Sequence, residues 1–376
     1  MNIFCIFPEF DRMQINKDPG QISLWLAKLN NTVKILTYEV DKDCDLENVE
    51  IVAKKKFIPL PYFFPKLQLL WFILRHRNSV DCIVYWHYFV NTAFSCLLTK
   101  VISRNIINVV KMDTDGDLYF GSPITRFLKR IGGEFVFRIL AKYADLFIVE
   151  TPEAKQRILR YHPYLAKKLI FLPNGINVYA LHSSIKNLAT KKKKKILFVG
   201  KIEKQKGLDI LINAFEKISW KYPEWSLELV GNVNKKFLKK VFKKLDIQVR
   251  KRIKICGPLY NKALAKKYLS AEIFCLPSYK ESFGFVLLEA SFFKLPVVSS
   301  NVGVAKYLLR DNSFIFKIGD KEDLIRKLEL FINNPVLRRR IGYINHKRCL
   351  KYFNWEQIVR KLDKYLRCLR DIPESQ

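Results

Sequence analysis

The chain predicts an α/β protein made of two doubly wound parallel sheets, and three observations carry that expectation. Short apolar, β-rich runs alternate with helical patterns along most of its length, as expected for strands joined by crossover helices. The alternation comes in two series, separated by residues 181–195, a polar stretch ending in five consecutive lysines from Lys191. In the second series several strands close on glycine (Gly200, Gly231 and Gly257). Such glycines let the backbone approach a ligand at the carboxyl edge, where parallel sheets bind.

In the first series the strand-like runs are Ile3 to Phe7, Val33 to Tyr38, Cys82 to Trp86, Ile106 to Val110, Leu146 to Val149 and Leu169 to Leu172. In the second they are Ile196 to Val199, Leu227 to Val230, Ile253 to Cys256, Ile273 to Leu276 and Pro296 to Ser299. After Phe353, the run from Asn354 through Trp355 to Leu366 reads as a capped amphipathic helix. The expected organisation is a first domain over 1–180, a solvated linker over 181–195, a second domain over 196–352 and a terminal helix over 353–376. A length of 376 residues suits two domains of ~150–200 residues each.

With 49% hydrophobic residues the chain can bury substantial cores, which excludes a disordered class. Its 67 basic and 35 acidic residues leave a net charge of +32, which favours nucleic acid, an anionic membrane surface or phosphorylated ligands as partners. The eight cysteines show no C-x-x-C pair, several sit in strand-like runs, and they read as free thiols of a reducing cytosol. The five histidines have no metal-ligand spacing, so no metal is expected. Met1 to Phe7 looks like a first core strand rather than a signal peptide. The longest apolar stretch, Phe57 to Leu74, is broken by Pro59, Pro61, Pro65 and Lys66, too often to span a bilayer.

Two constellations carry chemistry. The first is Tyr279-Lys-Glu281-Ser282-Phe283-Gly284-Phe-Val-Leu-Leu-Glu289-Ala. A strand should end near Pro277 and a loop should carry Glu281. A helix should begin near Gly284, with Glu289 a little over one turn inside. That places free N–H groups and a positive helix end beside two carboxylates, suiting a ligand with both phosphate and hydroxyls. The second is Gly200-Lys201 to Lys206-Gly207, where two ammonium groups flank a strand-to-helix loop and could converge on a diphosphate. Taken singly, the first also fits an ordinary strand-to-helix join and the second two solvated loop lysines.

Together, Gly200-Lys201 to Lys206-Gly207, Gly257, Pro277-Ser278, Glu281 to Glu289 and Pro296-Val-Val resemble glycosyltransferase family 4, retaining enzymes of the GT-B type (glycosyl transferases group 1). The match covers Ile196 to about Ile332, with Pro173-Asn-Gly-Ile176 similar to the family's interdomain segment. The first half matches loosely. The resemblance implies two Rossmann-like domains facing a cleft, and a terminal helix crossing back to the first domain. It also implies that Glu281 meets donor-sugar hydroxyls and charge at the anomeric carbon, while Glu289 takes the ribose. Ser282, Phe283 and Gly284 would offer backbone groups, Lys201 and Lys206 would neutralise the diphosphate, and the base would lie near Gly257. Three departures stand out: Lys201 replaces a usual arginine, Lys294 a usual glycine, and Val304 and Tyr307 a usual glycine and glutamate.

In the first half, Asp113 aligns with a strand-end histidine of many family members and could bond an acceptor hydroxyl or orient the sugar. Asp113, Asp115 and Asp117 mimic the start of an EF-hand, but Leu118 and Ile124 lack the required glycine and glutamate. An Asp-x-Asp metal motif of the GT-A type conflicts with the doubled sheet pattern, and a plain acidic turn remains the simple alternative. His87, after Cys82 to Trp86, is the reserve acid or base, though packing against aromatics is the plainer reading. Gly20 could fill the glycine-rich turn after the first strand. Phe57 to Arg77 and Pro123 to Lys142 have the aromatic and basic flavour of interfacial helices.

The expected function is therefore metal-independent transfer of a hexose-type sugar from a nucleotide-diphosphate donor to an acceptor hydroxyl, with no separate cofactor. The acceptor would be a lipid-linked or cell-envelope glycan, and the protein cytoplasmic and peripheral on the inner membrane face. A basic nucleic-acid-binding protein and a catalytically silent GT-B scaffold are the alternatives. The charge is unaccompanied by any aromatic-interleaved RNA motif, so no specific nucleic acid is expected.

Overall fold

The computed structural model describes residues 1–41, 44–53, 73–87, 90–116 and 123–371. They form two compact units, Met1–Asn177 with Trp355–Gln376, and Val178–Asn354.

The first unit holds a seven-stranded parallel sheet. Its strands are β1 (Asn2–Ile6), β3 (Thr32–Thr37), β5 (Val49–Ala53), β6 (Cys82–Trp86), β7 (Ile107–Met112), β8 (Leu146–Val149) and β9 (Leu169–Phe171). A small pair, β2 (Glu9–Phe10) and β4 (Glu39–Val40), stands beside it in the chain. The order β5-β3-β1-β6-β7-β8-β9 reverses direction between β1 and β6. Every residue of β6, β7 and β8 is buried, as expected for parallel strands covered on both faces.

Helix Trp355–Arg370 belongs to this unit and packs on helix Asp18–Lys28. Trp355, Ile358, Val359, Leu362 and Leu366 form its buried stripe, each large side chain contributing ~1.5–3 kcal/mol. Asn31 Nδ2 donates to Asp363 Oδ1 at 2.8 Å, fixing the helix to the start of β3. At Gly175 any Cβ would lie 2.7 Å from the Trp355 ring, so the Pro173-Asn-Gly segment is shaped to that indole.

The second unit holds a six-stranded parallel sheet: β10 (Lys195–Val199), β11 (Ser226–Val230), β12 (Ile253–Ile255), β13 (Ile273–Leu276), β14 (Val297–Ser300) and β15 (Ile315–Phe316). The order is β12-β11-β10-β13-β14-β15, so strand order reverses between β10 and β13. In open α/β sheets that reversal opens a crevice at the carboxyl ends, where ligands bind.

Several expectations need correction. Part of the stretch read as a solvated linker is helix Val178–Ile185, and Lys195 opens β10 instead of ending the linker. Gly20 is not in a turn; it sits in the first turn of helix Asp18–Lys28, buried where a Cβ would meet Gln14 O at 2.5 Å. Most of the segment from Phe57 to Arg77, and Asp117, lie outside the described residues. In helix Pro123–Tyr143, Phe137 and Leu140 are buried in the core, whereas Phe135 is exposed. That half packs on the sheet as an ordinary α/β helix does. Among the described residues no helix is long and apolar enough to cross a membrane.

Candidate functional site

The loops that carry Lys201, Lys206 and Glu281 follow β10 and β13, the two strands at the strand-order reversal of the second unit. β13 ends at Leu276, and Pro277-Ser278 starts a loop that runs to Gly284. β10 ends at Val199, and its loop runs through Lys201 and the short turn Lys204–Lys206 to Gly207. The two loops interlock. Tyr279 N–H donates to Gln205 O at 3.0 Å, and a Cβ on Gly207 would sit 1.9 Å from Pro277 O. Gly207 has φ +68°, so both the backbone conformation and the approach of the loops require glycine.

This interlock brings Lys206 to Glu281. Lys206 Nζ lies 2.8 Å from Glu281 Oε1, and Ser278 Oγ donates to the same oxygen at 2.8 Å. Ser278 is buried and its carbonyl accepts from Ser300 Oγ at 2.6 Å, so β14 fixes the serine that orients the glutamate. The Glu281 side chain keeps 12% exposure and Lys206 23%. The pair is reachable yet largely desolvated, where charge-assisted bonds are strong.

Gly284, at φ +89°, precedes helix Phe285–Phe292. The first N–H groups of such a helix have no intrahelical acceptor and carry the positive end of its dipole. The Phe283 side chain is buried beside Phe285 and Phe353, so only its backbone is left to offer a ligand. Glu289, one turn in, accepts from Tyr268 OH at 2.6 Å. Burial pushes the Tyr268 hydroxyl well above its ordinary range, which keeps it a donor, and its ring stacks on Phe293. Gly257 follows β12 at φ +65° with open space around its Cα. Lys201 is exposed. Lys206, Ser278 and Glu281 are thus drawn into one contact.

Lys294, where a glycine is usual in the resembled family, has φ +58°, the left-handed conformation glycine adopts freely. Val304 is buried, and its N–H donates to Phe283 O at 2.8 Å, a backbone bond that does not depend on the side chain.

In the first unit, Asp113 follows β7 and is exposed, and His87 follows β6 at φ +66°. His87 N–H donates to Lys111 O at 2.9 Å, and its ring lies 6.4 Å from that of Phe7. Asp115 meets Arg157 Nη1 at 3.5 Å. Among the described residues no group of three His, Cys, Asp or Glu side chains could hold a metal ion.

Sequence reasoning missed a charged cluster below these residues. Lys111, 1% exposed, pairs with Glu150 and lies 3.0 Å from Asp18 Oδ2, which also accepts from Trp86 Nε1 at 2.7 Å. Burial pushes the Glu150 carboxyl up and Lys111 pulls it back, leaving it at about 7. Lys111 itself is pushed down by burial, but Asp18 and Glu150 outweigh this and hold it firmly protonated. The available signal was a lysine inside the apolar run Ile107 to Met112 and a glutamate closing β8. A second cluster joins Lys195, Glu228 and Lys267. Burial opposes ionisation of Glu228, yet bonds from both lysines hold it at about 2.

Residues 182–348 match the family model described as Glycosyl transferases group 1. That region is a glycosyl transferases group 1 domain. The chain is 35% identical over 213 residues to an uncharacterized glycosyltransferase of Haemophilus influenzae, covering 54% of this chain and 58% of that one. It is 25% identical over 367 residues to an uncharacterized glycosyltransferase of Methanocaldococcus jannaschii, covering 94% and 95%. In structure, sucrose-phosphate synthase from Thermosynechococcus elongatus superposes with TM-score 0.75 at 18% identity, covering 98% of this chain and 99% of that one. Anabaena HepE in complex with UDP-glucose gives 0.68 at 16%, covering 98% and 100%. The fold is GT-B, and the group 1 domain contains every candidate residue of the second unit.

Proposed function

We propose that this protein transfers a hexose-type sugar from a nucleotide-diphosphate donor to an acceptor hydroxyl, retaining the anomeric configuration and using no metal. The observation that carries the reading is the Lys206–Glu281 pair at the β10/β13 reversal, held by Ser278 and followed by a helix amino terminus. The group 1 match and the glycosyltransferase relatives support the class of reaction, and the HepE complex supports a nucleotide-sugar donor.

In this reading the diphosphate takes over the Lys206 ammonium, with Lys201 and the helix end adding positive potential where a metal would otherwise act. Glu281, released from its ion pair but still oriented by Ser278, accepts bonds from sugar hydroxyls and faces the charge that grows at the anomeric carbon. Backbone groups of Ser282, Phe283 and Gly284 hold the sugar and phosphate. Glu289 shares its carboxylate between Tyr268 and the ribose hydroxyls, and the base lies by Gly257. Asp113 accepts a hydrogen bond from the acceptor hydroxyl. The acceptor oxygen bonds to the anomeric carbon as the carbon–oxygen bond to the diphosphate breaks, and the acceptor proton leaves on the phosphate. A lipid-linked or cell-envelope glycan is the acceptor class we favour, at the inner face of the cell membrane.

A thermal-shift panel of nucleoside diphosphates and their sugars, followed by donor turnover, tests this. Stabilisation by one diphosphate with turnover of its sugar supports the proposal. Stabilisation without turnover of any donor would identify a silent scaffold, and no stabilisation at all would remove the nucleotide.

A further inference from the structure

The net charge is not evenly distributed. The second unit, 178–354, carries 38 basic and 14 acidic residues, +24, against +8 for the first. Within it, residues 231–271 hold 13 basic residues and one acidic, Asp246. This stretch comprises helices Lys235–Lys243, Ile247–Lys251 and Asn261–Ser270 around β12, the edge strand of the sheet. Ten of its lysines are exposed: six from Lys235 to Lys244, then Lys251, Lys254, Lys262 and Lys266. One or two charges suffice to protect a sheet edge from pairing. Ten in 41 residues create a single-sign field that repels itself unless something anionic meets it.

Helix Asn261–Ser270 packs on helix Val178–Ile185, whereas Ile247–Lys251 packs on helix Leu208–Lys221, so Lys262 and Lys266 lie across the sheet from the other eight. We infer that the face carried by helices Lys235–Lys243 and Ile247–Lys251 docks on an anionic lipid surface. Helix Lys235–Lys243 is amphipathic: Phe237, Leu238, Val241 and Phe242 form one side and are only half-buried, while Lys235, Lys236, Lys239, Lys240 and Lys243 are exposed. Ile247, exposed to 63%, adds an aliphatic group where the next helix begins, three residues after Lys244. Lysine with scattered apolar and aromatic groups is the composition of an interfacial contact. Nucleic-acid recognition draws on arginine forks and stacked aromatics, and both arginines of the stretch are spent inside the unit. Arg250 donates to Leu245 O and Lys243 O, and Arg252 to Tyr222 O, Pro223 O and Ser219 O. The contact is peripheral, and it stands whether or not the proposed transfer reaction is correct.

Vesicle co-sedimentation of the full chain tests it. The wild type should pellet with phosphatidylcholine vesicles containing phosphatidylglycerol, not with phosphatidylcholine alone, and should be released near 1 M salt, where screening acts within ~3 Å. The variant K235E/K236E/K239E/K240E should lose partitioning by roughly ten-fold or more, since each lysine near such a surface counts separately. The equally charged control R339E/R340E/K347E/K351E, on helix Pro335–Tyr352 of the same unit, should retain it within about two-fold; circular dichroism establishes that both variants fold. No pelleting at low salt overturns the inference. So do equal losses in the two variants, or displacement from vesicles by a single-stranded oligonucleotide at matched phosphate concentration.

Discussion

Lys206 and Glu281, 75 positions apart in the chain, form a 2.8 Å ion pair because two loops interlock at the carboxyl edge of one sheet. Neither loop alone would hold its charge there. In the proposed reaction the pair opens to admit a diphosphate. Lys206→Ala should weaken nucleoside diphosphate binding by ~1.5–3 kcal/mol, the range for a charge-assisted contact. Isothermal titration checks this, and an unchanged affinity would remove Lys206 from the donor site.

Glu281→Ala should abolish transfer while leaving the fold intact, because it removes one loop carboxylate and leaves the Lys206 ammonium, 23% exposed, within reach of water. Asp113→Asn should lower turnover more than donor affinity. Steady-state kinetics with a matched binding titration distinguishes the two positions, and undiminished transfer in either variant returns that residue to an ordinary loop.

Gly207 and Gly257 both have positive φ but differ in their surroundings. Gly257→Ala meets open space and should cost only the left-handed backbone penalty, ~1–2 kcal/mol. Gly207→Ala adds collision with Pro277 O and should cost upwards of ~3 kcal/mol, or separate the two loops. Urea denaturation ranks them, and equal losses would mean that the loops are not interlocked.

Glu150 gives stability a pH dependence. Its carboxyl is raised from 4.5 to about 7, so between those values the folded chain holds a proton that the unfolded chain has released. Raising pH across this window therefore weakens folding. Glu150→Gln removes the titration, and its stability relative to wild type should rise from pH 5 to pH 8. Parallel denaturation midpoints would contradict this. Lys111→Met leaves buried Glu150 and partly buried Asp18 without their cation and should cost ~3–5 kcal/mol at pH 7.

Most strands were legible because parallel strands covered on both faces must be continuously apolar. Leu146–Val149 and Ile273–Leu276 match the structure residue for residue. Val49–Ala53 was missed because, at the sheet edge, it alternates with Glu50 and is only partly buried. Ile315–Phe316 was too short for any periodicity. In the candidate site, Glu281, Glu289 and Lys206 could be named from glycine and proline punctuation. Their partners could not, because Ser278, Tyr268 and Ser300 act through contacts that only the folded chain creates. The Lys111 cluster was hidden for the same reason: Asp18, Trp86, Lys111 and Glu150 lie on four elements, and no local spacing relates them.

The Asn31–Asp363 hydrogen bond spans nearly the whole polypeptide. During synthesis the amino-terminal sheet emerges first, yet the helix that covers part of it is made only after Val178–Asn354. The second unit can therefore finish folding while the first still exposes the surface awaiting Trp355 and Leu362. The first unit is thus completed after the second has been made, and a product shortened before Trp355 would leave the apolar surface under that helix open to chaperones and proteases.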